Sequence, residues 1–142
     1  MKKIKILAIF LLITIMTGCG DKTLSCTKEE DMEAGVATEK QVITFSNDKI
    51  NLYEAEMSIK LNDDYKEYAD LLLNSLEEPF SDFKDKKGID YKTSKDDKRI
   101  SVLLSGEYNK MDEDTKKSLG IAENYSFDKT KESLENDGYS CK

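Results

Sequence analysis

The sequence predicts an α+β fold: an antiparallel sheet of about five strands with one long helix and two short helices packed on one face. Three observations lead to this prediction. Strand-like segments occur in hairpin groups, separated by turn residues rather than by single helices. One long stretch with helical periodicity divides the two groups of strands, and two shorter helical stretches follow the second group. The sequence contains no internal repeat and no low-complexity block, so we expect a single folded domain.

The amino-terminal segment has the features of a secretory signal. Lys2, Lys3 and Lys5 form a basic start without acids, and residues 6–16 are apolar apart from Thr14. A basic start followed by a short apolar run and small residues is typical of a signal peptide. The apolar run is about half of the ~20 residues that a membrane-spanning helix needs. We therefore expect this segment to be removed rather than retained as a membrane span.

The Gly18 and Cys19 pair that closes this run is typical of a lipoprotein signal. A diacylglyceryl group would be transferred to the Cys19 thiol, and a peptidase would then cut between Gly18 and Cys19. Met16 stands where such signals usually have leucine. We expect residues 1–18 to form the signal peptide and Cys19 to be the lipid-attachment site, which places the protein at the cell membrane, facing outside the cytoplasm. The alternative is an ordinary secretory signal followed by a chance cysteine.

Charge and composition argue against several function classes. Three lysines leave with the signal, so 22 basic and 29 acidic residues become 19 and 29, a net charge near −10. Such a domain should avoid nucleic acid and anionic lipid head groups, so the acyl chains must hold it at the membrane. Histidine is absent, which removes Ser-His-Asp and Cys-His sites, imidazole metal ligands and the commonest general base. We expect no enzyme activity and no cofactor.

Two cysteines remain once Cys19 carries lipid. Cys26 and Cys141 form an even pair in an exported, oxidising setting, so we expect a disulfide between them. That bond would close a loop of about 115 residues, for which chain entropy gives a stabilisation of about 4.7 kcal/mol. The alternative is two independent thiols, one of them redox-active.

The predicted domain organisation is a lipidated tether at residues 19–25 and a single α+β domain at residues 26–142, with the first strand overlapping the tether. The tether would reach little more than about 20 Å, which keeps the domain close to the membrane. The predicted strands are residues 23–29, 37–45, 50–61, 89–93 and 99–108. The third alternates most clearly, with one apolar face, formed by Tyr53, Ala55, Met57, Ile59 and Leu61. Ile50 and Leu52 have the opposite parity, which predicts a bulge or an edge near Asn51.

The long helix should begin after Asn62, whose side chain can cap it, and end before Gly88. Its apolar residues recur at helical spacing and form one stripe, consisting of Tyr65, Tyr68, Ala69, Leu72, Leu76, Phe80 and Phe83. Pro79 should break or kink this helix because proline removes a helical hydrogen bond. We interpret the stripe as core rather than as a ligand site.

Two short helices are expected in the last third of the chain. The first covers residues 111–119, is capped by Asp112 and ends at Gly120. The second follows Ser126 as its cap and stops at Gly138. Residues 139–141 then return to the first strand.

Several short segments resemble the YehR-like small bacterial lipoproteins. They are the Cys-Thr-Lys-Glu start at residues 26–29, the Asp-Asp-Tyr-Lys-x-Tyr opening of the long helix at residues 63–68, and the Gly-Tyr-Ser-Cys-Lys end at residues 138–142, together with the lipoprotein signal. The resemblance covers most of the mature chain and rests on layout more than on a diagnostic motif. It implies an exported, lipid-anchored α+β domain, and it brings no catalytic residues with it.

Acidic clusters and tyrosines are the remaining candidates for chemistry. The acids lie at residues 63–64, 96–97 and 112–114, and none follows the ligand spacing of a calcium loop. Helix capping and solvation explain them, with weak surface calcium binding as the alternative. Tyr53, Tyr91, Tyr108 and Tyr125 are interpreted as half-buried sheet positions, with an exposed binding face as the alternative.

These features favour a non-catalytic interaction module, which would hold an envelope protein or ligand near the membrane. One alternative is a carboxylate- or metal-dependent envelope enzyme. Another is a carrier for a small solute, although carriers usually have two lobes, and about 124 mature residues accommodate two lobes poorly.

Overall fold

A computed structural model describes residues 20–142, so the predicted signal peptide, its Gly18 cleavage position and Cys19 lie outside the described residues. The described residues form one six-stranded antiparallel sheet in the order β4-β5-β3-β2-β1-β6. The strands are β1 (Asp21–Met32), β2 (Gly35–Ser46), β3 (Lys49–Leu61), β4 (Asp90–Lys95), β5 (Arg99–Glu107) and β6 (Ser140–Cys141). The helices are α1 (Ala69–Glu77), α2 (Glu113–Ser118) and α3 (Phe127–Asn136). Within this part of the chain, every helix is too short or too polar to span a bilayer.

The predicted α+β class and antiparallel sheet are confirmed, but the sheet has six strands rather than five. The additional strand, β6, contains two residues and pairs Cys141 with Cys26 and Ser140 with Thr27. A strand this short has no alternating pattern, so periodicity does not detect it.

Strand β1 begins earlier than the sequence predicts. It starts at Asp21, which pairs with Ser46, so residues 21–25 belong to the sheet rather than to a free tether. Leu24 is the only apolar residue of that stretch, and it is fully buried. The predicted strand begins at residue 23, where it overlaps the predicted tether, so the structure extends it by Asp21 and Lys22.

Of the two alternatives predicted near Asn51, a bulge or an edge, the structure has the bulge. Thr44 pairs with Leu52 and Phe45 with Ile50, which leaves Asn51 without a partner. The extra residue reverses the alternation at this end of the strand. Ile50 is therefore buried with the core, while Leu52 remains 41% exposed.

The predicted long helix is a continuous helical segment in three pieces. A 3₁₀ segment (Asp63–Tyr68) leads into α1, and a second 3₁₀ segment (Glu78–Phe83) follows it. Pro79 lies at the start of the second 3₁₀ segment, as expected of a residue that cannot continue an α-helix. The predicted capping role of Asn62 is wrong, because its Nδ2 atom instead donates a 3.1 Å hydrogen bond to the Glu33 carbonyl.

The caps predicted for the two short helices are confirmed. Asp112 Oδ1 accepts a 2.8 Å hydrogen bond from the backbone N–H of Thr115 at the start of α2. Ser126 Oγ accepts from the N–H of Lys129 at 3.5 Å at the start of α3. Each cap thus marks the residue at which its helix begins, and the two helices contain 6 and 10 residues.

The core consists of two clusters on the same face of the sheet. The first lies beneath α3 and the loop after α2 and includes Leu24, Ile43, Phe45, Ile50, Tyr53, Tyr108, Met111 and Ile121. The second lies beneath α1 and includes Ala37, Ile59, Leu61, Ala69, Leu76, Ile100 and Val102. Both clusters use the same parity of β2 and the same parity of β3 beyond the bulge, so the helices cover one face and leave the other open.

Candidate functional site

The structure joins Cys26 to Cys141 by a disulfide bond. Cys26 is fully buried in the first core cluster, and Cys141 packs against that cluster. Beside the bond, the N–H of Lys142 donates to the Ser25 carbonyl at 2.9 Å and the N–H of Ser25 donates to the Lys142 carbonyl at 3.1 Å. The carboxyl-terminal end of the chain is thereby fixed to the first half of β1.

A cleft of about 260 Å³ lies between the two core clusters, where the helices leave the inner face of the sheet uncovered. Ala55, Met57 and Leu104 of the central strands line its base. Aromatic and aliphatic side chains from the helical layer line its sides, namely Phe80 and Phe83 from the second 3₁₀ segment and Leu119 after α2. This cleft is the candidate functional site.

One end of the cleft is polar. Glu39 and Gln41 lie on the inner face of β2 between the core residues Ala37 and Ile43, at positions where apolar residues would be expected. The Tyr139 hydroxyl donates a 2.5 Å hydrogen bond to Glu39 Oε2 and accepts a 3.4 Å hydrogen bond from Gln41 Nε2. We call Glu39, Gln41 and Tyr139 the polar end.

The polar end was not predicted, although the sequence carries a signal for it. The inner-face parity of β2 contains two polar residues in succession in an otherwise apolar row. A polar pair at core positions indicates either a satisfied buried network or a site. The pair can be recognised only when the register of β2 is known, because the outer positions of the same strand also hold both apolar and polar residues.

Two phenols of the cleft hold their protons strongly. Burial raises the pKa of Tyr53 above its ordinary value, and the neighbouring Tyr139 adds to that shift. Burial also raises the pKa of Tyr139, and its hydrogen bond to Glu39 acts in the same direction. Both hydroxyls are therefore neutral near pH 7, when they offer hydrogen bonds rather than a base.

The acidic clusters singled out in the sequence have local structural partners. Asp63 forms an ion pair with Lys66 at 2.5 Å, Asp96 Oδ1 accepts from the N–H of Arg99 at 2.8 Å, and Asp112 caps α2. Among residues 20–142, no three or more Cys, Asp or Glu side chains are grouped so that they could hold a metal ion.

The four tyrosines do not form one exposed face. Tyr53 and Tyr108 are buried and Tyr91 is half-buried, whereas Tyr125 is 45% exposed. Tyr53 and Tyr91 occupy strands, as the prediction had them, and Tyr108 directly follows β5. Only Tyr53 of the four lines the cleft.

Comparison with known proteins defines the fold. No family model matches the sequence, and no curated protein matches it significantly. The structure is similar to the NMR structure of the Escherichia coli YehR protein, with a TM-score of 0.59 and 15% sequence identity over 86% of this chain and 92% of that one. It is also similar to the NMR structure of a protein from Streptococcus pneumoniae TIGR4, with a TM-score of 0.56 and 13% identity over 86% and 85% of the two chains. The chain therefore shares the YehR-like fold.

Proposed function

We propose that this protein is a lipid-anchored, exported binding module and that the cleft between the two core clusters holds its ligand. The observation that carries the proposal is the composition of the cleft, with an apolar base of Ala55, Met57 and Leu104 and a polar end at Glu39 and Tyr139. Ligand sites combine an apolar lining with a few convergent polar groups in this way.

The groups around the cleft suit binding better than catalysis. The chain has no histidine, and the two phenols are neutral near pH 7. Glu39 accepts a hydrogen bond from Tyr139, and the carboxylate of Glu56 is paired with Arg99 at 2.9 Å. Both carboxylates that line the cleft thus already have partners within the protein.

The size of the cleft restricts the ligand. A volume of about 260 Å³ lies below the ~300–1,000 Å³ of sites that enclose a whole drug-sized molecule. The cleft therefore suits a small molecule or one apolar side chain of a larger envelope partner. A hydrogen-bond donor or a cationic group on that ligand would meet Glu39, the acceptor of the polar end.

Chemical-shift titration with a panel of short peptides and envelope-derived amphiphiles tests the cleft. We expect resonances of the residues lining it to move with a binding ligand, and an Ala55→Phe variant to lose that response because the added ring fills the base of the cleft. Glu54→Phe is the matched control, since Glu54 precedes Ala55 on the same strand, is exposed and does not line the cleft. Equal binding by both variants would contradict the proposal.

Anchoring is supported by the features of the signal, by the resemblance to YehR-like lipoproteins and by a disulfide suited to an oxidising compartment. Growth of expressing cells with radiolabelled palmitate tests it. We expect the protein to carry the label, and a Cys19→Ser variant to carry none. An unlabelled wild-type protein, or one that retains residues 1–18, would refute the anchor.

A further inference from the structure

We propose that one end of the sheet docks on the head-group region of a phospholipid bilayer. Strand β1 then starts at the membrane surface and runs outward from it. This end, which we call the anchor end, comprises the start of β1, the β2–β3 hairpin, the loop before α3 (residues 122–126) and the first turn of α3. The proposal rests on the proposed acylation of Cys19. It adds the surface of the folded domain that meets the lipid.

The first argument is the distance between the lipid and the sheet. Gly20 alone separates Cys19 from Asp21, the first residue of β1. Two peptide units span at most about 7.6 Å between Cα atoms. Asp21 pairs with Ser46, directly before the hairpin turn at Asn47 and Asp48. An acyl group on Cys19 would therefore hold the anchor end within a few ångströms of the bilayer interface.

The second argument is a pair of aromatic rings at the anchor end. Tyr125 is 45% exposed, and Lys129 Nζ lies 5.8 Å from the centre of its ring. Phe127 is half-buried, and Lys22 Nζ lies 5.3 Å from the centre of its ring. Tyrosine rings and the alkyl stems of lysine are well suited to the membrane interface, where one part is apolar and the other meets water.

The loop that carries Tyr125 and the start of α3 that carries Phe127 are fixed to the hairpin. Asn124 Oδ1 accepts a 2.8 Å hydrogen bond from the N–H of Ile50, and Asp48 Oδ1 accepts a 3.1 Å hydrogen bond from the N–H of Phe127. The exposed Tyr125 ring is thus held at the same end of the molecule as Asp21, while Phe127 also packs edge-on against the buried Phe45, with ring centroids 5.4 Å apart.

Charge at the anchor end is more balanced than in the rest of the mature chain. Lysines and acids alternate there, namely Lys22, Lys49 and Lys129 with Asp21, Asp48, Glu123 and Asp128. The mature chain as a whole has a net charge near −10, so its other surfaces are repelled more strongly by anionic lipid. Since the acyl chain supplies a high effective concentration, a weak contact is enough to set the orientation.

Tyr68, at the opposite end of the sheet, provides a reference position that should not reach the lipid. Tyr68 is 49% exposed and lies in the 3₁₀ segment next to the β1–β2 turn, where the Tyr65 hydroxyl donates to Glu33 Oε1 at 2.7 Å. The 12 residues of β1 separate that turn from the anchor end, a distance of about 40 Å.

The absence of tryptophan from the sequence makes the orientation directly measurable. Tyr125→Trp and Tyr68→Trp variants each carry a single tryptophan at an exposed tyrosine position. Each would be purified from palmitate-labelled cells and placed in phosphatidylcholine vesicles containing brominated lipid, which quenches tryptophan at the interface. We expect the Tyr125→Trp variant to lose about half of its fluorescence and the Tyr68→Trp variant to be unchanged, because only the first ring reaches the interfacial layer.

The palmitate label separates the two proposals. A labelled protein in which both variants are quenched equally, or in which only Tyr68→Trp is quenched, overturns the docking and leaves the anchor intact. A labelled protein in which neither variant is quenched also overturns the docking, because the domain would then stand clear of the lipid. An unlabelled protein that stays in the supernatant when vesicles are sedimented overturns both proposals.

Discussion

At the scale of single residues, the inner face of the sheet combines hydrophobic burial with a few costly polar groups. Phe45, Leu24 and Ile100 are fully buried, and each contributes apolar area removed from water. Tyr53 is also buried, at 4% exposure, but its phenol can ionise. A buried phenolate would be poorly solvated, so the folded state strongly favours the protonated form.

Tyr53 should therefore limit stability at alkaline pH. The pKa of Tyr53 is higher in the folded state than in the unfolded state, where it is about 10. The contribution of Tyr53 to the free energy of unfolding is therefore complete below the unfolded-state pKa and is lost as the pH rises through the folded-state pKa. A Tyr53→Phe variant should lose less stability than the wild type between about pH 9 and pH 11. Urea unfolding across that range measures the difference. Tyr125→Phe, at an exposed position, is the control, and a Tyr53→Phe curve parallel to the wild-type curve would contradict the prediction.

At the scale of elements, local patterns carry most of the information needed for prediction. The bulge at Asn51 and the caps at Asp112 and Ser126 depend on nearby residues, and each was predictable. The early start of β1 depends on partners far away in sequence, so local periodicity could not reveal it. The return of residues 139–141 to the first strand was predicted and is confirmed, although two residues are too few for periodicity to identify them as a strand. The cleft lies where the helices over the first core cluster and those over the second leave part of the same sheet face uncovered, which is a property of tertiary packing.

The start of β2, just after the β1–β2 turn, requires a glycine because the backbone of β3 lies very close to it. Gly35 opens β2 with φ +151°, and its Cα faces β3, where a Cβ would overlap the backbone carbonyl of Lys60. Only glycine allows the backbones of β2 and β3 to approach this closely at the turn.

A Gly35→Ala variant should consequently be much less stable than the wild type, by several kcal/mol, because the methyl group meets backbone that cannot move aside. Gly120→Ala is the matched control. Gly120 also has a positive φ, +72°, but a Cβ there would meet nothing within 4 Å, so it should cost only about 1 kcal/mol. Thermal and urea unfolding measure both variants. Similar losses in the two would show that backbone conformation alone, and not the contact with Lys60, requires glycine at position 35.

At the scale of the whole molecule, residues 140–141 form the strand at one edge of the open sheet. Strand β6 pairs with β1, and the bond between Cys26 and Cys141 spans 115 residues of sequence. The pairing is too short to be stable alone, because two residues form only a few hydrogen bonds. The covalent link therefore holds the carboxyl-terminal segment in place.

Removal of the disulfide should lower the free energy of unfolding by about 4 to 5 kcal/mol, the amount that chain entropy gives for a loop of this length. The Cys26→Ser, Cys141→Ser double variant avoids a free thiol and is the suitable comparison. Urea unfolding of the oxidised wild type, the reduced wild type and the double variant measures the effect. The reduced protein and the double variant should agree, and a loss below about 1 kcal/mol in both would contradict the entropic account.

The hydrogen bonds between Lys142 and Ser25 place the two ends of the described chain on neighbouring strands. Gly20 lies five residues from Ser25 along β1, a path of about 17 Å. A spacer of roughly six residues would thus suffice to splice the old ends together and open new ones in the β4–β5 turn at residues 96–98. Such a circular permutant would keep the order of strands in space while moving the start of the chain to the far edge of the sheet.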